Sequence, residues 1–225
     1  MSRPYFTDTD RRLGAVSALT AFIVLLAYAI TLTIGLLTLP SPQEPIRGPI
    51  FSLLELLIII VAPLMVVAMA AVHAYAAPEA RGASRVALAL MIVLAGITCS
   101  VHFVILTISR HPAAAALPPV FLSFTWPSFA YALDILAWDV FFALSMLCGA
   151  FVFAGDRLSA WLRGSMLVSG GLSLAGLIGV PLGDMQIRLI GVAGYAGVSL
   201  VVFPLLAVLF LRARGVAGKA LPRAE

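Results

Sequence analysis

Residues 131–142 read YALDILAWDVFF and place Asp134 and Asp139 inside a longer apolar run. An aspartate at the centre of a membrane helix costs about 2.5–3.5 kcal/mol on insertion scales, so such residues pair with other groups or face a wet cavity. On an α-helix with 3.6 residues per turn, residues five positions apart point about 140° away from each other. We therefore expect Asp134 and Asp139 to face different neighbours.

The composition of the whole chain is that of a multi-pass membrane protein. Of its 225 residues, 62% are hydrophobic and 11% are charged, and the mean hydropathy is +1.11. Soluble domains carry about 25% charged residues. The formal net charge is +4, but the basic residues are spread over short segments between apolar runs, which predicts no nucleic-acid partner. Both cysteines, Cys99 and Cys148, lie within apolar runs and are predicted to be free thiols.

Six apolar runs predict the fold class: all-α, a polytopic membrane helical bundle of six transmembrane helices that forms one integral membrane domain over residues 1–225. About 20 apolar residues suffice to cross the hydrocarbon core. The first run is too long for a signal-peptide core, so we expect an uncleaved first span. The proline-rich connection 109–127 is too apolar for a solvated loop, and we expect it to lie in the interface or to fold back over the bundle. The spans are expected at about 13–39, 50–76, 84–108, 128–154, 162–182 and 186–211.

The lysines and arginines predict an orientation. If the six spans alternate in direction, eleven of the 14 Lys and Arg residues fall on the side that holds both termini. Cytoplasmic segments carry the excess of such residues in membrane proteins. We therefore expect both termini to be cytoplasmic.

Small residues recur at regular spacing in the last two spans. Gly171, Ala175 and Gly179 lie on one face of the fifth span, and Gly191, Gly194 and Gly197 mark the sixth. Small residues let a neighbouring helix approach closely. Besides the lipid bilayer, the partners expected for this chain are therefore a second copy or another membrane protein, bound through small-residue faces.

Ionisable residues of three spans share one depth. With a rise of about 1.5 Å per residue, Glu55, His102 and Asp134 all lie about 9–11 Å from the midpoints of their spans, toward the outer side. Asp139 lies closer to the midplane. Each could alternatively serve alone, as a headgroup contact, an interhelical hydrogen bond or an interfacial anchor. Together the six candidate residues for a ligand or proton site are Glu55, His102, Asp134 and Asp139, with Tyr131 on the face of Asp134 and Arg188 at the outer turn.

Three functions remain open at this stage. The first is a small-ligand, proton or cation site in the outer half of the bundle, since carboxylates and a histidine can relay protons or bind a cation. The second is a structural or assembly subunit in which the same groups hold helices together. The third is an intramembrane metal-dependent hydrolase, against which the scarcity of histidines argues. The sequence identifies no cofactor and no catalytic residue.

Two segments carry a resemblance. WPSFAYALDILAWDVFFALS, residues 126–145, and LGDMQIRLIGVAGY, residues 182–195, resemble segments of small six-helix bacterial inner-membrane proteins that carry no assigned activity. The resemblance covers the second half of the chain better than the first. It implies a six-helix architecture and the bacterial inner membrane as the location, and it adds no catalytic residue.

Overall fold

Six helices that are long and apolar enough to cross a membrane make up most of the chain, as the sequence predicts. The computed structural model describes residues 6–41 and 44–213, so Arg3 and the basic tail residues beyond 213 lie outside the described residues. The helices are α1 (Asp8–Leu37), α2 (Gly48–Tyr75), α3 (Pro78–Arg110), α4 (Phe129–Ala150), α5 (Arg157–Leu182) and α6 (Leu189–Arg212).

Side-chain caps set several helix starts. At α1, the Thr7 hydroxyl accepts a hydrogen bond from the Asp10 amide, and the Asp10 carboxylate accepts one from the Thr7 amide. This reciprocal pair satisfies two amides that a helix start leaves unpaired. It explains why α1 begins at Asp8, before the apolar run. Ser128 caps α4 and Asp156 caps α5, and the side-chain oxygen of each accepts one hydrogen bond from a backbone amide of the first turn.

The six helices form a closed ring in chain order. Each helix packs against the next one along the chain, and α6 closes the ring by packing against α1. Since consecutive helices run in opposite directions, the starts of α2, α4 and α6 lie at the same end of the ring as the end of α3. Glu55, His102, Asp134 and Arg188 all belong to this end.

The opposite end of the ring holds a densely packed apolar core. Its largest fully buried side chains are methionines and phenylalanines, whose flexible thioethers and flat rings fill irregular spaces between helices. Many large apolar side chains on the outside of the ring are exposed, as expected for a surface that meets lipid. The core is formed around Phe142, Phe153, Phe203, Phe210, Met65, Met69, Met91, Met146 and Met166.

Two of the helices contain a π-helical segment. In α4, Leu136–Phe142 forms a π-helix between two α-helical segments. In α6, Ala193–Val198 does the same. The two wide segments lie against each other, because the Trp138 ring packs on the Tyr195 ring with centroids 5.2 Å apart. Isolated π-helical turns are rare and are found mainly at functional sites.

The last part of the connection between α3 and α4 packs on the bundle, whereas residues 109–121, except for the half-buried Ala114, are exposed. Both placements expected for the connection therefore stay predictions. It consists of a 3-10 turn, Pro112–Ala116, and one helical turn, Pro119–Leu122. Phe124 then packs against the rings of Phe51 and Tyr131, with centroids 5.7 and 5.3 Å away.

The glycines of the last two helices differ in their surroundings. A Cβ added at Gly171 or Gly197 would meet nothing within 4 Å, so the face that includes Gly171 stays a prediction for a partner. Gly194, which the sequence marks, permits a close approach inside the chain, because its added Cβ would lie 2.7 Å from the Ser169 carbonyl oxygen. Gly170 does so as well, with an added Cβ 2.7 Å from the Ala143 carbonyl oxygen.

Candidate functional site

Three ionisable side chains from three helices form a line of contacts inside the ring. His102 Nδ1 lies 2.7 Å from Glu55 Oε2, which is hydrogen-bonding distance. On the other side of the imidazole, His102 Nε2 lies 3.3 Å from Asp134 Oδ1, within ion-pair distance. All three side chains are buried. The three residues that the sequence predicts at one depth therefore contact each other directly and join α2, α3 and α4.

The guanidinium of Arg188 extends this triad to α6. Its Nη2 atom lies 3.0 Å from Asp134 Oδ2 and 3.1 Å from Asp139 Oδ2. Its Nε atom donates to the same Asp139 oxygen at 3.1 Å, and Nη1 donates to the Tyr131 hydroxyl at 2.9 Å. Every nitrogen of the guanidinium thus has an oxygen partner. Arg188, the candidate at the outer turn, thus contacts two carboxylates.

The expectation that Asp134 and Asp139 face different neighbours is wrong in part. Both carboxylates bind the same guanidinium, although Asp134 also contacts His102 and Asp139 lies against two glycines. The π-helical segment begins at Leu136, between the two aspartates. Because its hydrogen bonds run from residue i to residue i+5, the turn is wider, and residues five apart lie on the same side of the helix. The separation of about 140° applies only to a regular α-helix.

A tight turn between α5 and α6 brings Arg188 to this position. Gly183 adopts a left-handed conformation, with φ of 66°, directly after α5 ends. Glycine is favoured there because it has no Cβ to clash in that conformation. The Asp184 amide then bonds to the Gly179 carbonyl at 3.0 Å and closes the turn. Arg188 follows just before α6 and is 4% exposed.

The Asp139 carboxylate lies in a narrow space between two glycines. A Cβ added at Gly176 of α5 would be 2.7 Å from Asp139 Oδ1, and one added at Gly191 of α6 would be 2.2 Å from the same atom. Real Cβ atoms essentially never come that close. Oδ1 has no hydrogen-bond partner among the described residues, while Oδ2 binds Arg188. The two glycines therefore fix where the carboxylate can sit.

Trp138 links the π-helical segment of α4 to α3. Its indole Nε1 donates to the Thr98 hydroxyl at 3.0 Å, and both side chains are buried. Thr98 lies one turn before His102 on α3, so this bond holds α4 in register with the helix that carries the imidazole. Phe124 covers the imidazole from the connection, with ring centroids 5.5 Å apart.

The triad and Arg188 form part of the wall of a cavity of about 520 Å³. This volume is within the range that holds small organic ligands, about 300–1,000 Å³. The rest of the wall is mainly apolar, and it includes side chains of α1, α2 and α6 together with residues 45–47 and 124–125 of two connections. The apolar wall is formed by Leu25, Leu32, Leu36, Phe51, Leu54, Ile58, Val61, Leu189, Val192 and Ala196.

All six candidate residues of the sequence belong to this one cluster. Glu55, His102, Asp134 and Arg188 line the cavity together with Tyr131, whereas Asp139 lies behind Arg188 and does not line it. Sequence reasoning missed Tyr28 and Tyr195 as lining residues and Gly176 as a neighbour of Asp139. Their residue types do not distinguish these positions, since aromatic and small residues occur throughout the chain.

The arrangement does not resemble a metal site. Within residues 6–41 and 44–213, no group of three or more His, Cys, Asp or Glu side chains is placed to hold a metal ion. Glu55 and Asp134 are on opposite sides of the imidazole and do not converge with it on a common point. The hydrolase hypothesis therefore has no ligand set in the part of the chain that the structure describes.

None of the family models, curated proteins and solved structures compared with this chain matches it. The resemblance to small six-helix bacterial membrane proteins therefore stays a prediction, and function has to be argued from the site.

The glycine at position 191 should be needed for the position of Asp139. In Gly191→Ala, the new Cβ forces the carboxylate away from Arg188, and we expect a loss of about 1–3 kcal/mol, the range seen when a packed interior is overfilled. Gly197→Ala, in the same helix but with open space around it, should leave stability unchanged or raise it slightly. Equilibrium unfolding in mild detergent measures both, and equal stabilities of the two variants would contradict this account of Asp139.

Proposed function

We propose that this chain is a multi-pass protein of the bacterial inner membrane that binds a small ligand in the outer half of its helical bundle. The ligand has an apolar body, which the aliphatic wall of the cavity accommodates, and a polar group, which meets the Glu55–His102–Asp134 triad. Both termini of the chain lie in the cytoplasm, so the site opens toward the outer side.

One observation carries this proposal: the ion-pair network lines a cavity of about 520 Å³. Buried ionic groups that only hold helices together need no cavity next to them, because protein interiors are otherwise closely packed. Here, the three residues of the triad and Arg188 line a cavity together with ten apolar side chains. A large apolar pocket with a few convergent polar groups is the usual form of a ligand site.

The triad can also hold a mobile proton. Both ring nitrogens of His102 face carboxylate oxygens, so one proton can reside on the imidazole or on either acid without a change in heavy-atom positions. A ligand that approaches Glu55 or Asp134 would compete with that proton. Ligand binding and proton release are coupled in this proposal.

The assembly hypothesis draws on the same contacts in a different way. The network joins α2, α3, α4 and α6, which suits a structural subunit in which the ions specify helix packing. Under that hypothesis no molecule needs to bind in the cavity. A substitution that fills the cavity should then leave the set of co-purified molecules unchanged, whereas it should displace the ligand if the cavity is a binding site.

Filling the cavity should displace a bound molecule. Val192 lines the cavity, and Val192→Phe places a ring in it, whereas Val201→Phe adds the same ring to an outward-facing position of α6 that is 49% exposed. We expect a small molecule to co-purify with the wild type and with Val201→Phe, and to be depleted roughly tenfold in Val192→Phe, equivalent to about 1.4 kcal/mol. Mass spectrometry of organic extracts measures this.

Equal amounts of every co-purified molecule in both folded variants would contradict the ligand site and favour the assembly hypothesis. A cooperative thermal unfolding transition serves as the control that each variant is folded.

The proposed orientation has its own test. Because eleven of the 14 basic residues fall on the side of the termini, green fluorescent protein fused to the C-terminus should fluoresce in bacterial cells, and alkaline phosphatase fused there should be inactive. Phosphatase fused within the connection between α3 and α4 should be active. Active phosphatase at the C-terminus would overturn the orientation.

A further inference from the structure

We propose that the ligand of this cavity is a lipophilic cation: an apolar or aromatic body that carries an ammonium or similar cationic group. This inference rests on the proposed function and narrows it to one chemical class. It follows from the charges of the network, from the pairing of its arginine and from the aromatic lining of the cavity.

The ionisable groups at the cavity carry an excess of negative charge. The two contacts of the His102 ring need two hydrogens, of which a neutral imidazole supplies one. One added proton therefore satisfies the triad and leaves it with one net negative charge. Arg188 is balanced by Asp139. Two further cations lie near the triad among the described residues, and both are exposed. Arg47, in the lining, bonds to Glu44 at 3.0 Å, and Arg110, outside the lining, binds the Ser52 hydroxyl near Glu55. The buried groups of the cavity wall keep a net negative charge, which favours a cationic ligand.

Arg188 is not free to bind an anionic headgroup. Its Nε and Nη2 atoms bind Asp139 and Asp134, and Nη1 binds Tyr131. A phosphate or carboxylate could reach the guanidinium only at Nη1, beside or in place of the Tyr131 hydroxyl. There it would lie next to two carboxylates that already compensate the charge of Arg188, and like charges held close together repel each other. The cluster therefore discriminates against anionic amphiphiles although it contains an arginine.

The unused capacity of the network consists of acceptors. Glu55 uses only Oε2 in its bond to His102, so Oε1 remains an acceptor for a ligand. Asp134 Oδ1 is buried and lies 3.3 Å from His102 Nε2, so one of its two lone pairs remains for a further donor. An ammonium group carries several N–H donors and a positive charge, and it complements both oxygens.

Aromatic rings line the cavity in unusual number. Their faces are electron-rich and attract cations, most strongly where water is excluded. Aromatic cages of this kind recognise ammonium ligands in other proteins. One such contact already exists, since the Arg188 guanidinium lies 4.7 Å from the centroid of the Tyr131 ring. The aromatic residues of the lining are Tyr28, Phe51, Phe124, Tyr131, Trp138 and Tyr195.

A pair of probes with the same shape and opposite charge tests this inference. Tetraphenylphosphonium and tetraphenylborate each carry four phenyl rings around one central atom, the first as a cation and the second as an anion. Equilibrium dialysis of both against the purified wild-type protein, washed extensively in non-ionic detergent to remove bound molecules, gives their saturable binding. We expect the cation to bind at least about tenfold more tightly than the anion.

Variants then locate the binding. Glu55→Gln removes a charge of the cavity and should weaken binding of tetraphenylphosphonium about tenfold, whereas Glu79→Gln removes an exposed charge at the start of α3, outside the cavity, and should change nothing. Val192→Phe should abolish the saturable component. If Glu55→Gln fails to fold, as thermal unfolding would show, the comparison of cation and anion on the wild-type protein still decides.

The outcomes separate this inference from the proposed function. Tetraphenylborate could bind saturably and as tightly as the cation, and Val192→Phe could abolish that binding. This result would overturn the preference for cations but would still support a ligand site. Absence of saturable binding of the cation would also overturn the inference. If, in addition, Val192→Phe depletes no co-purified molecule, the proposed function fails as well.

Discussion

The guanidinium of Arg188 between Asp134 and Asp139 is the interaction on which the rest of the site depends. It joins α4 to the start of α6 through two buried carboxylates. Removing one partner of such a pair typically costs about 3–5 kcal/mol, because the remaining charge stays buried without compensation. Three features make the arrangement possible: the π-helical turn that aligns the aspartates, the two glycines beside Asp139, and the turn that directs Arg188 inward.

This constraint also determines what the cavity can bind. With Arg188 occupied, the triad of Glu55, His102 and Asp134 presents acceptors and negative charge to the cavity. The apolar wall and the aromatic lining supply the rest of the surface. Under the proposed function, one set of contacts stabilises the ring of helices at Asp139 and supplies the polar wall of the ligand site at Glu55. The stabilising and binding roles then belong to different ends of the same network.

The sequence predicted the six helices and the residues of the ionisable cluster, but not which of these residues contact each other. Hydrophobic runs predict spans reliably because length and composition suffice, and equal depth brought Glu55, His102 and Asp134 together because helices in a membrane run nearly parallel. The partner of Asp139 was missed because the phase argument assumed a regular α-helix. No residue pattern in 136–142 indicates a π-helix, in which the Trp138 ring packs on the Tyr195 ring of α6. The cavity likewise depends on how six helices pack, which no single segment encodes.

A double-mutant cycle between Arg188 and Asp139 tests the central claim most directly. Arg188→Met, Asp139→Leu and the combined variant are compared by equilibrium unfolding in mixed detergent micelles. The account predicts that the combined variant is more stable than the sum of the single losses by about 1.5–3 kcal/mol. The control pair, Arg47→Met with Asp139→Leu, should be additive, because Arg47 is largely exposed and bonds to Glu44. A coupling below about 0.5 kcal/mol between Arg188 and Asp139 would contradict the account.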